Sequence, residues 1–253
     1  MEFARVPEPS NEPILDYEVG SKEREVLLCE LNALKCSDVP LIINGKRIYN
    51  KEKEQQRCCA DHARVLCTYS QADEQQIRAA IDGSLQAKQE WENMSYGDRV
   101  AIFLKAADLL AGKYRNRILT ATILGQGKNF YQAEIDAIAE LCDFWRFNVF
   151  FGEKLQNEQP QVHTPGTWNV MDYRPLEKFL LAISPFNFTA IAGNLASAPA
   201  LMGNVVLWKP SPYAILSNYL VYECLEEAGL PPGVIQFIPS DPQLVCKVKK
   251  CVP

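Results

Sequence analysis

The chain has 253 residues, 47% apolar and 23% charged, with 26 Lys+Arg against 31 Asp+Glu for a formal charge of −5. That balance supplies enough apolar material for one or two cored domains and excludes disorder throughout. It also argues against a nucleic-acid binder, which would carry a basic stripe. No run of about 18 apolar residues occurs, so no membrane-spanning helix is expected.

The nine cysteines are scattered, with no CxxC pair, which reads as reduced thiols rather than a disulfide framework. Cys58, Cys59 and His62 lie close together, but no second ligand pair follows, so no metal site is expected. The first residues, MEFARVPEPSNEP, show neither a secretory core nor an Arg-rich presequence. Three readings stay open: a cytosolic protein, a numbering that begins after a presequence, or a misassigned start.

In chain order, Ser21 is expected to cap a helix whose stripe is Val26, Leu27, Leu31 and Leu34. Pro40 ends that region. Leu41–Ile43 and Lys46–Tyr49 around Asn44-Gly45 predict a β-hairpin, since Asn-Gly tolerates the positive φ of a tight turn. Residues 51–70 are polar, with one strand expected over 64–69. Ser70 with Asp73 suggests a capping box, followed by a stripe of Ile77, Ala80, Ile81, Leu85 and Trp91. Ser95 with Asp98 repeats the signal, and Gly112 is the expected C-cap. A third helix is predicted over 114–124, ending at Gly125. A fourth is predicted over 134–153, with Ile135, Ile138, Leu141, Trp145 and Val149 on one stripe.

Beyond a polar connection the pattern changes. Apolar runs at Phe179–Ile183, Asn204–Trp208 and Val234–Ile238 alternate with helical segments over 189–198 and 211–228. This predicts β-α-β-α-β, the opening half of a doubly wound parallel sheet, with ligands at the carboxyl ends of the strands. The expected organisation is an arm, helix and hairpin over 1–70, a helical layer over 71–175, a half-sheet over 176–240 and a divergent tail over 241–253. No GxGxxG fingerprint or P-loop is present.

Three segments at the strand ends carry a resemblance. They are Ile183-Ser184-Pro185-Phe186-Asn187-Phe188, Gly203 to Ser211 (GNVVLWKPS), and Glu227 to Val234 (EAGLPPGV). In this order and spacing the chain resembles the aldehyde dehydrogenase superfamily. FLKAADLLAG, GQGKNFYQAEIDAIAELCDFWRFN and AISPFNFTAIAGNLASAPALMGNVVLWKPS narrow the resemblance to its 1-pyrroline-5-carboxylate (L-glutamate γ-semialdehyde) dehydrogenase branch. The likeness runs from about Glu12 to Asp241 and covers about the first half of a family member. It implies an aldehyde-dehydrogenase-like α/β fold and NAD-dependent oxidation of L-glutamate γ-semialdehyde to glutamate, a step of proline catabolism in the mitochondrial matrix.

The resemblance also implies roles. Asn187 would offer its amide to the oxyanion formed on the aldehyde; read from the residues alone, the expectation is an Asx-turn or helix-capping residue. Lys209, with Pro210 and Ser211, would bind the adenosine ribose of NAD. Ile183, Ser184, Pro185 and Phe186 would line the nicotinamide side, and Gly233 would leave room for the adenine. Glu140 and Phe188 would lie in the substrate pocket, and Trp208 would be core. The small-molecule aldehyde is then the substrate.

The departures set further expectations. No cysteine lies in the family's nucleophile context, the general-base glutamate is absent, Pro212 replaces a usual acidic residue, and the tail DPQLVCKVKKCVP departs from the family. The isolated chain is therefore expected to be inactive on aldehydes and to bind NAD poorly. It should also expose an open sheet edge. An alternative is a non-catalytic truncated isoform that associates or competes with full-length subunits.

Overall fold

The computed structural model describes residues 6–250. In chain order the elements are α1 (Lys22–Ala33), β1 (Ser37–Val39), β2 (Leu41–Ile43), β3 (Lys46–Ile48), β4 (Lys53–Arg57), β5 (Val65–Ser70), α2 (Glu74–Asn93), α3 (Tyr96–Ala111) and α4 (Arg115–Gln126). Then come α5 (Phe130–Ala133), a π-helical turn (Glu134–Glu140), α6 (Leu141–Asn157), β6 (Phe179–Ile183), α7 (Thr189–Leu201), β7 (Val205–Lys209), α8 (Ile215–Ala228), β8 (Ile235–Phe237) and α9 (Pro242–Lys250).

β6, β7 and β8 are parallel, so the three apolar runs form the expected half-sheet. The sheet is mixed, however. The β2–β3 hairpin turns through Asn44 and Gly45, both at positive φ, and lies antiparallel against β8, giving the order β3-β2-β8-β7-β6. The hairpin therefore covers the β8 edge that the sequence left open. A reciprocal amide pair holds it there: Asn44 N donates to Gln236 Oε1 and Gln236 Nε2 donates to Asn44 Oδ1, both at 2.7 Å. Among the described residues nothing pairs with the other edge, β6, and exposed Ile191 and Leu195 share one face of α7. β7 is buried throughout; Val206 and Trp208 pack into the core around α7 and α8, while Leu207 packs toward α2.

Several local expectations shift. Two strands join that were not expected: β1 and β4 flank β5 in a separate three-stranded sheet. The α2 cap is Asp73 with Gln76, not Ser70 with Asp73, and Leu85 is exposed. Ser21, Ser95 and Gly112 cap as expected. α4 runs through buried Gly125 and stops at Gly127, which takes the left-handed φ of 69°. The fourth helix starts earlier, because Asn129 and Gln132 form a capping box before Phe130. The first residues of the tail are ordered: Asp241 accepts from Gln243 N and Leu244 N, and α9 buries Val245 and Val248. Cys251 lies outside the described residues.

Gly233 is also placed differently. It precedes β8, at the amino end of the parallel strands, opposite the ends that carry Ser184 and Lys209. Its φ is +89°, and an added Cβ would lie 2.8 Å from Ala87 Cβ on α2. Helix packing, not room for a ligand, requires a glycine here. Gly233→Ala should cost about 2–4 kcal/mol, combining left-handed strain with overpacking. A urea midpoint within error of the parent would refute this.

Candidate functional site

The site is built at the carboxyl ends of β6 and β7, where strand N–H and C=O groups give out and loops begin. Ser184 N donates to Lys209 O at 3.1 Å, so the two strand ends are stitched together. The buried Trp208 indole donates to Ser184 Oγ at 3.0 Å and packs edge-on to Phe237. Trp208 is thus core, and it fixes the first residue of the loop Ser184–Phe188.

That loop projects outward. Phe186 is 60% exposed and meets the Tyr213 ring edge-on at 6.3 Å. Asn187 is exposed, and its side chain has no hydrogen-bond partner among the described residues. It forms neither the Asx-turn nor the helix cap allowed by the sequence, and its amide is available to a ligand. Phe188 carries Lys128 Nζ over its ring at 4.1 Å.

Lys209 is buried, and its ammonium donates to Pro210 O at 3.0 Å. Burial pulls its pKa below the ordinary 10.5, with Asp241 opposing. A cavity of about 210 Å³ opens beside it, lined by Pro210, Pro212, Ser240 and Asp241. An ammonium has three donors, and among the described residues one is used. The remaining capacity suits hydroxyl oxygens, so the donor set fits a ribose.

The ammonium lowers stability fully below its folded pKa, and the penalty fades as pH rises toward the unfolded value of 10.5. Lys209→Met should therefore raise the urea midpoint at neutral pH, because the buried ammonium is removed. The gain should shrink in melts at about pH 10, near the unfolded lysine value. A destabilised variant at neutral pH would contradict this.

Glu140 ends the π-helical turn and lines a groove of about 640 Å³ with Ile14, Ile135, Phe144, Phe147 and Phe151. Burial raises its carboxyl pKa, and Asp136 adds to the rise while Lys128 opposes it. Glu140 and Phe188 are therefore brought near one cation, Lys128. Ile135, expected on the buried stripe, is exposed, because the π turn shifts the register.

Two further residues of this neighbourhood, Asp136 and Lys128, carry no signal of a site in the sequence. Asp136 is 2% exposed, accepts from Thr189 N and Ala190 N at 3.0 Å each, and pairs with Lys128 at 2.5 Å. The Asn129/Gln132 capping box was the available signal for an earlier helix start, but periodicity cannot reveal a π turn. Burial raises the Cys142 and Cys67 thiols to about 12, and Cys224 also rises. These buried thiols are held protonated, unlike activated nucleophiles.

With this geometry, the aldehyde dehydrogenase family model matches residues 48–248, and the chain belongs to that family. The match runs past Asp241, where the sequence reading ended the resemblance. Among curated relatives, the delta-1-pyrroline-5-carboxylate dehydrogenase of Agaricus bisporus is 54% identical over 244 residues, covering 95% of this chain and 45% of the relative. The Dictyostelium discoideum enzyme of that name, described as mitochondrial, is 50% identical over 244 residues, covering 96% and 44%. The crystal structure of the Mycobacterium tuberculosis delta-pyrroline-5-carboxylate dehydrogenase bound with NAD superposes with a TM-score of 0.96 at 47% identity, covering 100% of this chain and 48% of that one. The chain spans under half the length of these relatives and corresponds to their N-terminal portion.

Proposed function

We infer that this chain supplies the NAD-binding and oxyanion-holding half of a mitochondrial dehydrogenase that oxidises L-glutamate γ-semialdehyde to glutamate. The observation that carries the reading is the exposed, unpartnered Asn187 amide, on the loop that runs from Ser184, bonded to the Lys209 carbonyl, to Phe188, which meets Lys128. A neutral amide aimed at developing negative charge stabilises an oxyanion without needing a proton of its own. Lys209, Pro210 and Ser211 would hold the ribose of NAD, and the backbone of Ile183–Phe186 would flank its nicotinamide. Bound NAD would accept hydride. Phe188 would pack on the aliphatic part of the substrate, and Glu140 would close the pocket on the helical side. The names of the relatives and the NAD-bound structure support substrate, cofactor and compartment alike.

The test is complementation. The chain is mixed with the second half of the Agaricus relative, and formation of reduced nicotinamide is followed with glutamate semialdehyde. Turnover is expected from the mixture and not from either piece. Turnover by the 253-residue chain alone, or none from a mixture shown to associate, would overturn the reading.

A second reading, a non-catalytic chain that associates with full-length subunits, is favoured by the β6 edge, unpaired among the described residues, with Ile183 exposed on that strand and Ile191 and Leu195 exposed on α7. Co-purification with a full-length subunit and no gain in turnover would select it.

A further inference from the structure

α7 starts badly by its own sequence. Its N-cap residue is Phe188, which has no side-chain acceptor for the first N–H groups of the helix. The acceptor comes from elsewhere: Asp136, on the π-helical turn, takes Thr189 N and Ala190 N at 3.0 Å each. Thr189 is held further by its hydroxyl, 2.9 Å from Thr122 Oγ1 and 2.7 Å from Gln126 Nε2. Lys128 then bridges, with its ammonium 2.5 Å from Asp136 Oδ2 and 4.1 Å from the Phe188 ring centroid. Asp136 lies on the π turn, two residues after Glu134. Residues two apart on a helix point in different directions, and here both are buried. Glu134 turns toward Tyr17 and Asp136 toward α7.

We propose that Asp136 and Lys128 are positioning residues for the Ser184–Phe188 loop: Asp136 sets where α7 begins, and Lys128 sets the Phe188 ring. The loop is thus held at its upstream end by the Trp208–Ser184 bond and at its downstream end by this buried pair. Asn187 and the Phe188 ring lie between the two anchors, so the helical layer rather than the loop itself determines where they stand. That these two residues face a reacting aldehyde rests on the function proposed above; that the pair places them does not.

The experiment uses the 253-residue chain without NAD or aldehyde, so its failure and that of the functional reading are separable. Three variants are compared by amide exchange and by the ring resonances of Phe188. Asp136→Asn should speed exchange of Thr189 and Ala190 about tenfold, the loss expected for a cap, with α3 unchanged. Lys128→Met should move the Phe188 ring resonances and speed exchange of those two amides less than Asp136→Asn does, since the carboxylate acceptor remains. Lys128→Arg, which keeps the charge over the ring, should restore the parent resonances. If Asp136→Asn does not fold, the Met and Arg variants still decide the matter. Unmoved Phe188 resonances in Lys128→Met, or equal losses in Met and Arg, would overturn the proposal.

Discussion

Glu134→Ala should destabilise the chain by about 3–5 kcal/mol, the loss typical when one partner of a buried ion pair is removed. Glu134 is fully buried and joins three segments. It accepts from Tyr17 Oη at 2.7 Å and Leu15 N at 3.2 Å, and it pairs with Arg115. Arg115 also meets Glu12 at 3.0 Å, and Arg146 meets Glu12 at 2.8 Å. Removing the carboxylate leaves a buried hydroxyl and a backbone N–H without acceptors, each costing about 1–3 kcal/mol, and takes one anion from Arg115. The N-terminal arm would lose its central clamp. Urea unfolding measures the loss, and limited proteolysis within residues 6–17 should accelerate. Glu134→Gln should fall between, because an amide oxygen can still accept but carries no charge. A loss below about 1 kcal/mol, the scale of a surface pair, would show that the arm is held by packing alone.

Asn187→Ala should lower turnover of the complemented enzyme about 10²–10³-fold, the effect of deleting one oxyanion donor. The expectation depends on the side chain having no structural work: it is exposed and makes no hydrogen bond among the described residues. Stability of the isolated chain should therefore change by less than about 0.5 kcal/mol, as for an ordinary surface site. The two readouts together are diagnostic. Turnover lost with stability kept marks a group that acts on the reacting atoms. Turnover kept, or stability and turnover lost together, would remove Asn187 from the oxyanion site.

Cysteine chemistry completes the picture. Cys142 and Cys224 donate to backbone carbonyls of α3, and burial drives both thiols upward in pKa. Neither offers a thiolate at neutral pH.

Much of this was legible in the residues. Phe179–Ile183, Val205–Lys209 and Ile235–Phe237 are short apolar runs separated by helical segments, and that spacing alone predicts parallel strands. Asn44-Gly45 announces its turn because backbone strain there is local. The segments that hold Asn187 and Lys209 were readable as strand ends because a short apolar run followed by a turn leaves a contiguous signature. What tertiary structure alone decided involves partners distant in sequence. The hairpin covers β8 through a Gln236–Asn44 pair whose members stand 192 residues apart. Gly233 serves α2, although its segment suggested a ligand. Asp136 caps a helix that begins 53 residues later, and Glu134 grips an arm 117 residues earlier. A buried carboxylate in an amphipathic stretch looks like any solvated charge until its distant partners enclose it. Periodicity records which residues share a face, but not which distant donors that face will meet.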